Sequence, residues 1–174
     1  MPAGGTGLVL RGLRKEPATI GKWHLGWDLT YKEGKAKTVD NIDFTKRVAN
    51  GPTDRGFDYF YGLTSPSGPP HLYMVNDMAE KQPNTRFEES GGGLYKIKGG
   101  IGHSDWSSDG MQPHLADKML EYLDENKDSD KPFFLYMALT APHIPLFPSK
   151  EFKGKSKIGD YGDLVMMIDD IVGR

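Results

Sequence analysis

Seven consecutive apolar residues, Phe133 to Leu139, constrain this chain more than any other feature. A run this short, with no polar alternation, reads as a strand buried on both faces, as in a parallel sheet. Ahead of it, Leu115, Met119, Tyr122 and Leu123 recur at helical spacing, and Ala116 and Leu120 widen the stripe. Pro113 suits that helix's first turn, where its missing N–H costs nothing. Asp124 to Lys131 reads as a solvated turn. Beyond the apolar run, Asp160 is a plausible N-cap for a helix presenting Leu164, Val165, Ile168, Ile171 and Val172 on one face. Upstream, Leu8 to Leu13 reads as the end of a weak helix broken by Pro17. Ala18-Thr19-Ile20 then forms a short buried strand feeding a loop at Gly21, and Leu72 to Val75 a further short strand. Strands alternating with helices argue an α/β fold with a mainly parallel sheet flanked by helices.

The remaining sequence is loop-rich. With 22 Gly and 12 Pro in 174 residues, the chain is one domain with many turns. Residues 28–56 are polar and turn-rich, and 76–110 are mostly irregular. The aromatic cluster Phe57 to Tyr61 reads as core packing or a pocket wall. A net charge of -2, from 22 basic and 24 acidic residues, gives no basic stripe for nucleic acid. No apolar run approaches the length of a membrane span, and Met1 to Arg11 has no leader-type stretch, so localisation is left open. Cysteine is absent, which removes disulfides, thiol nucleophiles and thiolate ligands.

Two short motifs carry chemistry. In Gly21-Lys22-Trp23-His24-Leu25-Gly26, Lys22 and His24 lie two apart just after a strand and share a face if the backbone stays extended. A fixed cation beside a group that titrates near neutrality suits a tetrahedral anion. The plainer alternative is a surface lysine and a satisfied core histidine. A P-loop is excluded, because Glu16 stands where its first glycine must be and Trp23 where Ser or Thr must hold magnesium. His143 lies between Pro142 and Ile144-Pro145, after the apolar run, at the edge of an α/β sheet where ligands bind; its alternative is a loop histidine packed by prolines. His71, His103 and His114 read as structural or exposed. Asp124 to Asp130 mimics a calcium loop but has Ser129 and Leu135 at the sixth and twelfth positions, where Gly and Glu are required. Asp169-Asp170 reads as the solvated face of its helix.

Ile20 to Gly26 resembles the second signature of the sulfatases, of arylsulfatase type, almost letter for letter. Further blocks follow in the family's order: Gly51 to Gly62; Pro69-Pro70-His71 through Asn76-Asp77; Lys131 to Tyr136 with Ala141 to Leu146; and Tyr161 to Arg174, ending Asp-x-x-Val-Gly-Arg. The resemblance covers residues 8–174, whereas Met1 to Gly7 matches nothing in the family and reads as a non-native start. It implies a partial alkaline-phosphatase-like fold, with 28–110 as the substrate-side region, and hydrolysis of sulfate esters of small molecules or glycans. It also implies a formylglycine made inside a Cys/Ser-x-Pro-x-Arg motif and a calcium ion held by an early Asp-Asp and a later Asp-Asn pair. By the same resemblance Lys22 contacts the sulfate, His24 bonds the formylglycine hydroxyl, and His143 lies near the sulfate and the leaving oxygen.

The chain departs from that pattern in having no cysteine and no Ser-x-Pro-x-Arg; Ser65-Pro66-Ser67-Gly68-Pro69 has the wrong order and no arginine. Both calcium pairs fall outside its 174 residues. The expectation is therefore the middle of a sulfatase catalytic domain, incomplete at both ends and inactive alone. The alternative is a non-catalytic module that binds sulfated glycans. A phosphatase of the same superfamily is disfavoured, because it would place metal ligands where Lys22 stands.

Overall fold

The computed structural model describes residues 16–174, so the expectations at Met1 to Gly7 and Leu8 to Leu13 lie outside the described residues. Strand β1 is Glu16–Lys22, β2 Tyr59–Leu63, β3 Met74–Val75, β4 Met78–Ala79, β5 Thr85–Phe87, β6 Gly100–Gly102 and β7 Phe133–Ala138. The main sheet has the order β4-β3-β2-β1-β7. β1 lies at its centre, parallel to β2 and β7, while β3 and β4 add antiparallel. The mainly parallel α/β expectation holds.

β1 is longer than the expected three residues and takes in Pro17. The proline sits near the strand's start, where a missing donor is tolerated, and its carbonyl accepts the Asp58 amide at 2.7 Å. The aromatic cluster is in part β2, which was not expected as a strand. Tyr and Phe favour a pleated surface; Tyr61 joins the core on one side of the sheet and Phe60 the core on the other. Residues 76–110, expected to be irregular, contain β4 and the antiparallel pair β5–β6.

Helix α1, Met111–Asn126, covers one face. Its Met111, Leu115 and Met119 pack with Ile20, Tyr61, Leu63, Tyr73, Ile97 and Trp106. Leu120 is on the outer side and 37% exposed, so it does not widen the buried stripe. The helix runs two residues past Asp124, into the expected turn. The other face is covered over β2 and β3 by Ile42, Phe44, Val48 and Leu72.

β7 is not buried on both faces. Among the described residues it is an edge strand, paired with β1, and its exposure alternates: Leu135 and Met137 pack toward α1 while Phe134 is 37% and Tyr136 51% exposed. The second layer of described residues ends over β2 and β3, which leaves β7's far side open.

Helix α2 is Asp160–Gly173. Its N-cap is Gly159 at φ 77°, and Asp160 is the first helical residue. Leu164, Met167 and Ile171 are buried with Ala116, Leu146 and Phe152, whereas Val165 and Val172 are 43% and 66% exposed. The buried stripe is rotated by one residue from the expected one. Buried Asp163 fixes that rotation: its carboxylate accepts the amides of Gly154 at 2.7 Å and Ser156 at 2.5 Å, tying the preceding loop to the helix's first turn. Asp169 and Asp170 are solvated, as expected, and Asp170 pairs with Arg174 at 2.8 Å.

Candidate active site

The carboxyl ends of β2, β1 and β7 form one rim. In register, Gly21 faces Ala138 across β1–β7, and Lys22 faces Leu63 across β1–β2. The three strands meet closely there because two side chains are missing. A Cβ on Gly21, whose φ is +128°, would lie 2.0 Å from the Ala138 carbonyl oxygen, and one on Gly62 would lie 1.7 Å from the Gly21 oxygen.

From β1 the chain leaves as a short loop with a buried anchor. The Trp23 amide donates to Leu63 O at 2.9 Å, continuing the ladder. Its indole is buried among Ile42, Phe44 and Phe60, stands edge-on to Phe57 at 6.1 Å, and donates from Nε1 to Gly26 O at 3.0 Å. Strand alternation puts Lys22 on the Ile20 side of the sheet, opposite Trp23. Lys22 is half-buried and His24 exposed at the loop's apex.

From β7 the chain leaves through Thr140, which is buried and accepts from the Gln112 amide in the first turn of α1. The His143 amide donates back to Thr140 O at 3.2 Å, closing a turn. His143 Nδ1 lies 2.5 Å from the Ile144 carbonyl, which can only accept, so Nδ1 carries a proton and the exposed Nε2 is left to face solvent or a ligand. Lys22, His24 and His143 thus leave one rim on neighbouring strands. Among the described residues, no group of three or more His, Asp and Glu side chains could hold a metal ion. The described residues do not supply a calcium site.

The family model for sulfatases matches residues 9–174. The chain belongs to the sulfatase family. It is similar to N-acetylgalactosamine-6-sulfatase of Sus scrofa, at 31% identity over 167 residues, covering 95% of this chain and 27% of that protein. It is also similar to N-acetylgalactosamine-6-O-sulfatase of Bacteroides thetaiotaomicron, at 26% identity, covering 89% of the chain and 35% of the relative. Among solved structures, a sulfatase from Pseudoalteromonas sp. superposes with a TM-score of 0.62 at 21% identity, covering 96% of this chain and 32% of that one. A Bacteroides thetaiotaomicron protein solved in work on glycosaminoglycan metabolism gives a TM-score of 0.70 at 20% identity, covering 94% of this chain and 39% of its own. At these identities the structures speak for the alkaline-phosphatase-like fold alone. The chain spans about a quarter to a third of the curated relatives' length.

Other histidines of this sulfatase segment have structural surroundings. His71 is fully buried, edge-on to Phe87 and tilted against Trp106, with Nε2 2.8 Å from Lys98 O. His103 is half-buried, with Nε2 3.2 Å from the Asn84 amide nitrogen. His114 packs on Tyr73 at a centroid distance of 4.3 Å, and its Nε2 lies 2.6 Å from the Tyr61 hydroxyl. That hydroxyl donates to Glu80 at 2.9 Å, so it accepts the proton from His114 Nε2. The sequence contains no local signal for this relay, because its members come from β2, the residue after β4, and α1. Burial lowers the pKa of His114 and of His71, against the pull of Glu80 on the former and of the Lys98 carbonyl on the latter. Lys118 also lowers His114, whereas Asp117 and Glu121 raise it.

A depressed folded pKa favours the neutral ring, so its stabilisation is present above the unfolded value near 6.5 and is lost as pH falls through the folded value. The midpoint of thermal unfolding is expected to drop as pH is lowered from 7 to 5. His114→Gln should reduce the limiting slope by about 1.4 kcal/mol per pH unit, the linkage of one proton. Denaturant titrations at several pH values check this, and an unchanged slope in the variant would rule out His114 as a contributor.

Proposed function

We propose that this segment supplies the sulfate-handling half of a sulfuric ester hydrolase active site. Lys22 is the fixed cation for the sulfate. His24, held over the rim by the Trp23 anchor, exchanges a proton with the nucleophile, and His143 offers Nε2 to the sulfate and the leaving oxygen. The observation that carries this reading is the pairing of Gly21 with Ala138, which makes the exits of β1 and β7 neighbours. Fixed cations and a proton donor around a tetrahedral anion stabilise charge that grows as the ester bond breaks, and a positioned acid or base typically contributes 10² to 10⁴-fold.

The formylglycine nucleophile and the calcium ligands belong, in this reading, to residues outside the 174. A sulfate ester on a glycan hydroxyl is the substrate class that the galactosamine-sulfatase relatives favour. In a complete catalytic domain containing this segment, sulfate esters are expected to be hydrolysed faster than phosphate esters of the same alcohol. A preference for phosphate would sink the reading. The 174-residue chain by itself, having no cysteine and no Ser-x-Pro-x-Arg, is expected to release no sulfate.

The same lack of a nucleophile favours a second reading for the chain alone, a module that binds sulfated glycans without cleaving them. Retention on a sulfated-sugar column, lost in Lys22→Ala, with no turnover even in the complete protein, would select it over the first.

A further inference from the structure

The β5–β6 hairpin is a built feature that the hydrolytic reading leaves without a task. Its base is the β5–β6 ladder, Thr85 to Phe87 against Gly102 to Gly100. Reciprocal bonds between Ser90 and Ile97, at 3.0 and 2.9 Å, extend it, and the tip closes as a single 3₁₀ turn at Gly93–Tyr95. Two contacts carry it across the rim. The Lys98 amide donates to Ser67 O, beyond β2, at 2.9 Å, and the Leu146 amide, beyond β7, donates to Leu94 O at 2.9 Å. Because β1 lies between β2 and β7, the hairpin spans the two strands that flank the exit of Lys22 and His24. It does so on the α1 side, with Ile97 and Phe87 in that core, which is the side of Lys22.

The tip is held firmly. Gly91 adopts φ +67°, and a Cβ there would meet the Tyr95 carbonyl oxygen at 2.2 Å. The Tyr95 ring stands edge-on to Phe147 at 6.1 Å, and its hydroxyl is hydrogen-bonded to Asp160. Yet Leu94 is 54%, Tyr95 38% and Ile144 42% exposed. It is the backbone of Leu94 that anchors the tip, so its side chain has no structural role there. Apolar side chains fixed in the open on a hairpin that crosses the exit of Lys22 suit an occupant that is both apolar-faced and anionic.

We propose that Leu94 and Tyr95, with Ile144 beside them, form the platform for the sugar ring of a sulfated glycan whose sulfate reaches Lys22 and His143; this rests on the sulfate-site reading above. A pyranose offers an apolar C–H face to an aliphatic and aromatic shelf, while its polar edge stays in water. Exposed Lys98 flanks the shelf and suits an anionic chain, whereas Lys96 is paired with Glu89 at 3.0 Å. The hairpin thereby separates sulfated sugars from small sulfate anions, which need the cations alone.

The test titrates the 174-residue chain with inorganic sulfate and with a disaccharide carrying one 6-O-sulfated N-acetylhexosamine, read by amide chemical shifts. Sulfate is expected to move Lys22 to Gly26 and His143 with its neighbour Ile144, and the disaccharide to move Gly93 to Lys96 as well. Tyr95→Ala and Leu94→Ser should each weaken the disaccharide about tenfold and leave sulfate unchanged, while Tyr95→Phe keeps the ring and the affinity. Disaccharide affinity unchanged in both Tyr95→Ala and Leu94→Ser, or lowered equally in Tyr95→Phe, overturns the platform and leaves the sulfate site standing. A parent chain that binds neither probe, or shows no dispersed amide spectrum, overturns both.

Discussion

Gly21→Ala is expected to destabilise the chain by about 3–5 kcal/mol, much of the stability a domain of this size has. Two costs combine. A φ of +128° is a region L side chains rarely adopt, at roughly 1–3 kcal/mol. The new methyl would also meet the Ala138 carbonyl at 2.0 Å, and overpacking against backbone adds about 1–3 kcal/mol because a strand cannot rotate aside as a side chain does. Gly26→Ala is the internal control. Its φ is +82° but nothing lies within 4 Å of the added carbon, so only the conformational cost of about 1–2 kcal/mol applies. Urea unfolding of the two variants measures the difference. Equal losses would mean that β1 and β7 do not approach as closely as described, and the shared exit of His24 and His143 would go with it.

In a complete sulfatase domain containing this segment, His24→Ala and His143→Ala are each expected to lower kcat by about 10²–10⁴-fold. Each ring is exposed on a loop, so neither substitution should shift the unfolding midpoint appreciably. The double variant is expected to lose much less than the product of the two, because groups acting on one transition state are not independent. Steady-state rates on an aryl sulfate, with urea unfolding alongside, check both parts. A variant that keeps more than about a tenth of parental kcat, an effect below the usual range for general acid–base help, would remove that histidine from the proton-transfer role.

The residues of the candidate site were picked out from the sequence. Lys22, Trp23 and His24 lie in a contiguous motif, and His143 follows a run that declares itself a strand by apolarity alone. The local elements legible from the sequence were α1 and α2, by helical periodicity, and β7 and the middle of β1, as short apolar runs. Errors arose where burial depends on what lies across the gap. The pattern Phe133 to Leu139 is equally apolar on both sides, yet Phe133, Leu135, Met137 and Leu139 face the α1 core while Phe134 and Tyr136 are exposed. Val165 and Val172 look as buriable as Leu164 and Ile171, and the bonds from buried Asp163 decide which stripe turns inward. The hairpin carrying Leu94 and Tyr95 was invisible because its strands are three residues each, too short for period or propensity to register.

By itself the sequence determined the family, the α/β class and the kinds of side chain available to bind an anion, since each is written in contiguous residues. Only the tertiary structure decided that Gly21 lies against Ala138, that Lys22 shares a side with α1, and that a hairpin crosses the rim between β2 and β7. Those are matters of register and layer contact between segments far apart in the chain, and backbone hydrogen bonding, which sets them, is the same for every residue type except proline.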